Sequence, residues 1–413
     1  MSVSFWQQTA RADVAAYDVI VVGGGIVGCS TAYWLRRRRS RLRVALVEAQ
    51  SIGYGATGRN AGFLLQGTDS DYLTDIATYG QQRAKEIWRF TRDNRNLIES
   101  ELQGQDFDLV ARGSLLVAGN EEEDRRLQAS VPPLRAIGAP VVYLSPRETN
   151  RRLGAEGFRG SLFVTSGAMV NPMRLVQHIA SASRAHVLEY HPVQAVIPEG
   201  DHYRLETGGR RLEAGQVVLA LGAYLPKLVP ALGPYVRPVR AQMLATAPAE
   251  AHYVRVPAYT HAGEFYIRQV RGGQVLLGGA RHRNEAEEVG YEDITTPAVQ
   301  GDLERYLREH FPWARELAVE HRWSGTMGFS PDRLPVVGPV PGQPGNFWAA
   351  GFTGHGMSYG FRMGKLLAAL ALGDTQPEGY ELFAASRFGA LPPAEEEAIE
   401  PEAPRGRRET SVS

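Results

Sequence analysis

Gly23, Gly25 and Gly28 stand at G-x-G-x-x-G spacing, and Glu48 follows the last of them by 20 residues. These residue types at these distances bind a dinucleotide. The first glycine lets the chain turn, the second lets the backbone approach a pyrophosphate, and the third lets a helix close on a strand. Amide groups at the start of that helix, reinforced by its dipole, favour phosphate. Glu48 has the reach to accept hydrogen bonds from ribose hydroxyls and would repel a 2′-phosphate. A bare strand–helix turn is the plainer explanation, but it gives no reason for the carboxylate. A second glycine turn, "GFTGHGM" at 351–357, precedes another helical run. Its backbone at Gly354, His355, Gly356 and Met357 offers amide dipoles to an anionic group, as a reduced flavin is near N1 and C2=O.

Elements that would position these turns can be read along the chain. A Val/Ile-rich strand at 18–22, a helix at 26–38 and a second strand at 43–49 form a β-turn-α-β unit. The glycine-rich loop "SIGYGATGRNAGF" (51–63) follows, then one long helical stripe from 72 to 102. Short strands at 114–118 and 141–144, a helix at 172–185 and strands between 186 and 224 come next. A β-rich stretch covers 236–246, 264–270 and 274–279, followed by a helix at 297–310, a strand at 346–351 and a helix at 359–372. The fold class is therefore α/β and α+β: a Rossmann-like nucleotide-binding domain plus a substrate domain with a mainly antiparallel sheet. The expected boundaries are 1–70, 150–235 and 322–390 for the nucleotide domain and 71–149 and 236–321 for the other. Residues 391–413, rich in proline and charge, are expected to be a disordered tail.

Composition narrows the function classes. Lys+Arg and Asp+Glu are both 45, so no net field favours nucleic acid or an anionic membrane. "RRRRSR" at 36–41 falls at a helix end, where cations meet the C-terminal dipole. A single cysteine, Cys29, excludes a disulfide framework and a cysteine-cluster metal site, and no metal is expected. No signal peptide and no membrane span are read, so the expected location is the cytoplasm. The oligomeric state is not legible.

NAD and FAD share the adenosine–pyrophosphate end. Glycine turns recur here at "GYGATGRNAGF", "LALGAY" and "GFTGHGM", spread over 53–357. That spread suits an elongated ligand buried by several segments, which favours FAD over an NAD(P) dehydrogenase. The ordered set "DVIVVGGGIVG…VALVEA", "GATGRNAGF", "VVLALGAY", "WSGTMGFSPDRLPVVGPV" and "GFTGHGMSYGFRMGKLLA" resembles the D-amino-acid oxidase/glycine oxidase superfamily of FAD-dependent oxidoreductases. "SFWQQTA" and "GATGRNAGF" are most similar to the branch containing γ-glutamylputrescine oxidase. The resemblance spans 5–385.

What the resemblance implies is oxidation of a C–H beside an amine, hydride passing to flavin, the imine released to hydrolysis, and oxygen reoxidising the cofactor with peroxide release. The alternatives are an amine dehydrogenase with another electron acceptor and a non-catalytic FAD-binding subunit. It places Gly23, Gly25, Gly28 and Glu48 on the adenosine and pyrophosphate, and Thr57, Arg59, Asn60, Ala61 and Gly62 along the ribityl chain and ring. Val193 matches the adenine clamp, Ala220 and Gly222 the second turn, and Gly354, His355, Gly356 and Met357 the pyrimidine turn. No cysteine lies near that turn, so the FAD is expected to be noncovalent. Amino-acid-oxidising relatives carry a carboxylate-binding arginine where Met327 stands, and some sarcosine-oxidising relatives carry an oxygen-activating lysine where Leu276 stands. The catalytic candidates are Tyr266, Arg268, His355 and Arg59. Strand alternation puts Tyr266 and Arg268 on one face, offering a phenol and a cation together. Each has a plainer reading: a roof-packed aromatic, a surface charge, a purely backbone role and a solvated loop, respectively. Trp323 reads as core, and Tyr259 and His261 as gate candidates.

Overall fold

The computed structural model describes Phe5 and residues 15–389, so the tail expected at 391–413 and most of "SFWQQTA" lie outside the described residues. Two eight-stranded sheets carry the architecture. The first runs Val336–Pro339, Asn346–Ala350, Arg211–Leu219, Ala15–Val22, Val44–Val47, His186–Leu188. Its inner strands pair in parallel, with Val19–Val22 in register with both Val44–Val47 and Gln216–Leu219. Val193–Glu199 and His202–Thr207 extend it as an antiparallel flap. Central strands of this kind are buried on both faces, which is why they read as unbroken Val/Ile/Leu runs.

Two helices lie together on that sheet. Ile26–Arg38 is buried from Ile26 to Leu35, and its last turn carries Arg36, Arg37 and Arg38, the expected solvated basic end. Gly356–Ala371 crosses it so closely that a Cβ at Gly364 would sit 2.4 Å from Ser30 Cβ and 2.6 Å from Thr31 N. A Cβ at Gly360 would meet Ile26 Cγ2 at 2.7 Å. Trp34 Nε1 donates to Phe361 O at 3.1 Å, tying the pair.

The second sheet runs Val319–Phe329, Arg237–Thr246, Val275–Gly279, Phe265–Gln269, Ala258–Thr260, Ser114–Val117, Ser161–Val164, Val141–Leu144. All its pairings are antiparallel except that of Ala258–Thr260 with Ser114–Val117. Sheet membership redraws the expected domain boundaries. Val319–Phe329 and Ser161–Val164 belong to this sheet, not to the nucleotide side where the sequence placed 322–390 and 150–235. Conversely, helix Gln81–Glu101 buries Ile87, Phe90 and Ile98 in the core of the first sheet's helices, although 71–149 was expected in the other domain.

The single stripe expected over 72–102 is two helices, Tyr72–Tyr79 and Gln81–Glu101. Gly80 separates them at φ +81°, a backbone region that ends a helix and favours glycine. Helices Glu121–Ala136 and Pro146–Leu153 were not foreseen.

Candidate functional site

The first strand ends in a turn whose shape follows from three close approaches. Gly23 has φ +110°, and a Cβ there would lie 2.4 Å from Ala220 O. At Gly28 a Cβ would fall 1.8 Å from Gly23 O, so only glycine lets the helix start this near the strand. Gly25 precedes the helix, and Ile26 N donates to Thr57 Oγ1 at 2.9 Å, so the 51–63 loop is fixed to the helix start. Glu48, just past the end of strand Val44–Val47, accepts from Gly24 N at 2.6 Å and Gln50 N at 2.9 Å, which places its carboxylate beside the glycine turn.

One cavity of about 1030 Å³ joins this turn to the other one: Gly23, Gly25, Glu48 and Val193 line it, and so do Gly354, His355, Gly356 and Met357. Thr57, Arg59, Asn60, Ala61, Ala220, Gly222 and Tyr266 also line it. The amino ends of both packed helices therefore open on one space, each presenting the N–H groups that have no partner within the helix. The lining fits FAD on its own chemistry. Gly25 leaves the cavity side open, its Cβ position meeting only Thr57 Oγ1 at 3.1 Å, and His355 Nε2 is buried without a hydrogen-bond partner. His355 Nδ1 lies 3.3 Å from Thr353 O, so its free nitrogen is the one left for a ligand.

Two expected cofactor residues support the site without lining it. Gly28 acts through helix packing, as its spacing implied. Gly62, at φ +73°, permits the chain to pass within reach of Val170 O, which a Cβ would meet at 2.2 Å. Asn60 holds the same loop, accepting from Gly62 N at 2.6 Å and donating to Thr57 O at 2.6 Å.

Of the catalytic candidates, Tyr266 faces the cavity while its ring packs edge-on against Tyr259 and Phe63. Burial pushes the phenols of Tyr266 and Tyr259 well above the usual range, so both stay protonated donors. Gly278 opposite has no room for a side chain, since a Cβ would lie 2.3 Å from the Tyr266 ring. Arg59 lines the cavity with its charge already engaged: Nη1 is 2.7 Å from Asp293 Oδ2 and 2.8 Å from Ser324 O. Trp323 packs as expected and donates to Arg59 O at 2.8 Å.

Arg268 corrects the expectation of a substrate-facing cation. It is 4% exposed and does not line the cavity. Its Nη1 donates to Ala61 O at 2.7 Å and Val170 O at 2.6 Å, and burial pulls its pKa down to about 10. Alternation places it on the face of Tyr266 as expected, but the 61–62 turn covers that part of the face. Arg268 is thus a positioning residue for the loop. His261 is also moved: it lies away from the cavity among Phe158, Phe265 and Tyr306, and burial lowers its pKa to about 4. Tyr259 does line the cavity.

Sequence reasoning missed the charged rim. Arg281 pairs with Glu285 at 3.3 Å, His282 with Glu264 at 3.1 Å and Arg333 with Asp69 at 2.7 Å, all on the cavity wall. "ARHR", directly after strand Val275–Gly279, was the available signal. Segment 281–293 leans from the second sheet toward the nucleotide side, with the Tyr291 ring tilted against Tyr224 and Lys227 Nζ 3.9 Å over the Tyr291 ring. Among the described residues no group of His, Cys, Asp or Glu converges as a metal site requires, and no helix is long and apolar enough to cross a membrane.

A family model described as "FAD dependent oxidoreductase" matches residues 18–370. γ-Glutamylputrescine oxidoreductase of Escherichia coli (strain K12) is 25% identical over 379 residues, covering 89% of this chain and 86% of that protein. Glycine oxidase of Geobacillus kaustophilus (strain HTA426) is 28% identical over 365 residues, covering 86% of this chain and 92% of that protein. The crystal structure of glycine oxidase from Geobacillus kaustophilus aligns with a TM-score of 0.77 at 25% identity, over 91% of this chain and 99% of that one. L-proline dehydrogenase from P. horikoshii shares the fold, with a TM-score of 0.75 at 19% identity over 90% of this chain and 97% of that one.

Proposed function

This chain belongs to the family of FAD-dependent oxidoreductases, and from that membership we propose that it oxidises the C–N bond of a small amine or amino acid to an imine, with oxygen as the final acceptor. The observation that carries the reading is that Tyr266 and the amino ends of two helices open on one cavity. Bound there noncovalently, FAD supplies the hydride acceptor. The protein's share is binding and orientation. Helix Ile26–Arg38 and Glu48 would hold the adenosine–pyrophosphate half, and the backbone at 354–357 the pyrimidine edge. The Tyr266 hydroxyl donates from the opposite wall toward the substrate nitrogen or its neighbour.

Substrate charge can be narrowed further. The guanidinium groups on the wall, Arg59, Arg281 and Arg333, are each held by a carboxylate. Met327 lines the cavity where amino-acid-oxidising relatives carry an arginine, and a thioether gives no bidentate bond to a carboxylate. These features favour an amine over an α-amino acid. A second reading, a dehydrogenase with a different electron acceptor, is favoured by Leu276, which packs with Tyr266 in a small apolar cluster where some relatives have a lysine.

The test is anaerobic mixing of the yellow protein with D-amino acids, N-methyl amino acids, proline and polyamine derivatives while following flavin absorbance. Bleaching by an amine is expected, and no bleaching across the panel refutes the reading. Tyr266→Phe should slow bleaching by ~10-fold, the loss of about one hydrogen bond, with FAD retained. An unchanged rate removes Tyr266 from the assignment.

A further inference from the structure

Beside the main cavity lies a smaller chamber of about 170 Å³ that shares Asp69, Arg333, Thr353 and His355 with it. Its far wall is formed by helix Tyr72–Tyr79 and by Tyr359. Two groups there have no structural explanation. Asp75 is 3% exposed, its Oδ1 accepts only from Thr68 Oγ1 at 2.7 Å, and the charges acting on it, Asp69 and Asp71, are both negative. Tyr359 is 2% exposed, and its hydroxyl makes no hydrogen bond among the described residues. A buried carboxylate without a cation is costly, and a bound cation removes most of that cost. Arg333 is not that cation, because Asp69 holds it.

We propose that this chamber is a subsite for a second, distal ammonium of the substrate, so that the enzyme prefers amines carrying another cationic nitrogen on a short methylene stem. The inference rests on the amine-oxidase reading and deepens it. The three donors of an ammonium match the Asp75 carboxylate together with the hydroxyl oxygens of Tyr359 and the threonine-lined wall. The oxidised carbon stays in the main cavity near Tyr266, and the stem passes His355, which lines both spaces. Charge supports a cation over an anion: with Arg333 paired to Asp69, Asp75 is the carboxylate left on the chamber wall without a cation.

The experiment uses the full-length FAD-loaded protein, titrated anaerobically with butane-1,4-diamine and with butan-1-amine, reading both the flavin absorbance shift on binding and flavin reduction. Expected is ~10-fold tighter binding of the diamine, equivalent to about one charge-assisted contact. Asp75→Asn should erase that preference and leave binding of butan-1-amine unchanged. Tyr359→Phe, which keeps the buried ring, should reduce the preference in part. Equal affinities in the wild type, no binding of the diamine, or equal losses for both amines in Asp75→Asn would each overturn the subsite. Bleaching by other amines of the panel alongside such a result leaves the proposed function standing, whereas the absence of bleaching with retained diamine binding refutes only that function.

Discussion

Replacing Asp75 by Asn should stabilise the amine-free protein above neutral pH while leaving it unchanged in acid. Burial raises this carboxyl from 3.8 to about 7, so the folded chain holds its proton more tightly than the unfolded chain does. The sign follows from that order. The protonated group's stabilising contribution is complete below the unfolded value and is lost as pH rises through the folded one. A difference of about 3 pH units corresponds to at most ~4 kcal/mol at pH 8. Unfolding entropy for a chain of 413 residues is roughly 0.9 kcal/mol/K, so that ceiling equals a gain of about 5 °C in Tm. Asparagine keeps an acceptor for Thr68 Oγ1, so little is lost at low pH. The assay is differential scanning of FAD-loaded wild type and variant at pH 8 and at pH 4, close to the unfolded value of 3.8; other titrating groups cancel in the difference. A pH-independent Tm difference, or a variant less stable at pH 8, would refute the argument. The wild-type penalty is the mark of a group kept for binding at the expense of stability.

Arg268→Ala should lower Tm and weaken FAD binding together, because it leaves the buried carbonyls of Ala61 and Val170 unpaired at about 1–3 kcal/mol each; flavin fluorescence on release reads the second effect. Gly28→Ala should yield colourless protein that does not take up added FAD, given a Cβ position 1.8 Å from Gly23 O, and a yellow, stable variant would contradict the packing. Gly364→Ala should cost about 1–3 kcal/mol by overpacking against Ser30 and Thr31, seen as a lower denaturant midpoint without loss of secondary structure.

The glycine turn at 23–28 was legible because its glycines are dictated by close backbone contacts, with Gly28 against Gly23 and Gly23 against Ala220. Strand alternation puts Tyr266 and Arg268 on one face, and Tyr266 lines the cavity, but alternation cannot say which part of a face another loop covers, and Arg268 lies under the 61–62 turn instead. Helix Glu121–Ala136 holds Pro132 and Pro133 within it, residues that ordinarily end or kink a helix. Strand Val319–Phe329 was masked by its exposed charged half, since the second sheet buries only the portion nearest the cavity. Asp75 had a signal that was passed over. It stands three residues after Tyr72 and four before Tyr79, within the stripe expected to be buried, and an acid at such a position is rarely there for packing.

The contact of Gly360 and Gly364 with Ile26, Ser30 and Thr31 does more than fill space. It locks two helices into one rigid caliper whose jaws are their amino ends, so the distance between the jaws is set by the protein before any ligand arrives. A flavin lacking both phosphates and the adenosine, such as riboflavin, would touch only one jaw, and discrimination between the two lengths follows from a pair of missing side chains along the seam between the helices.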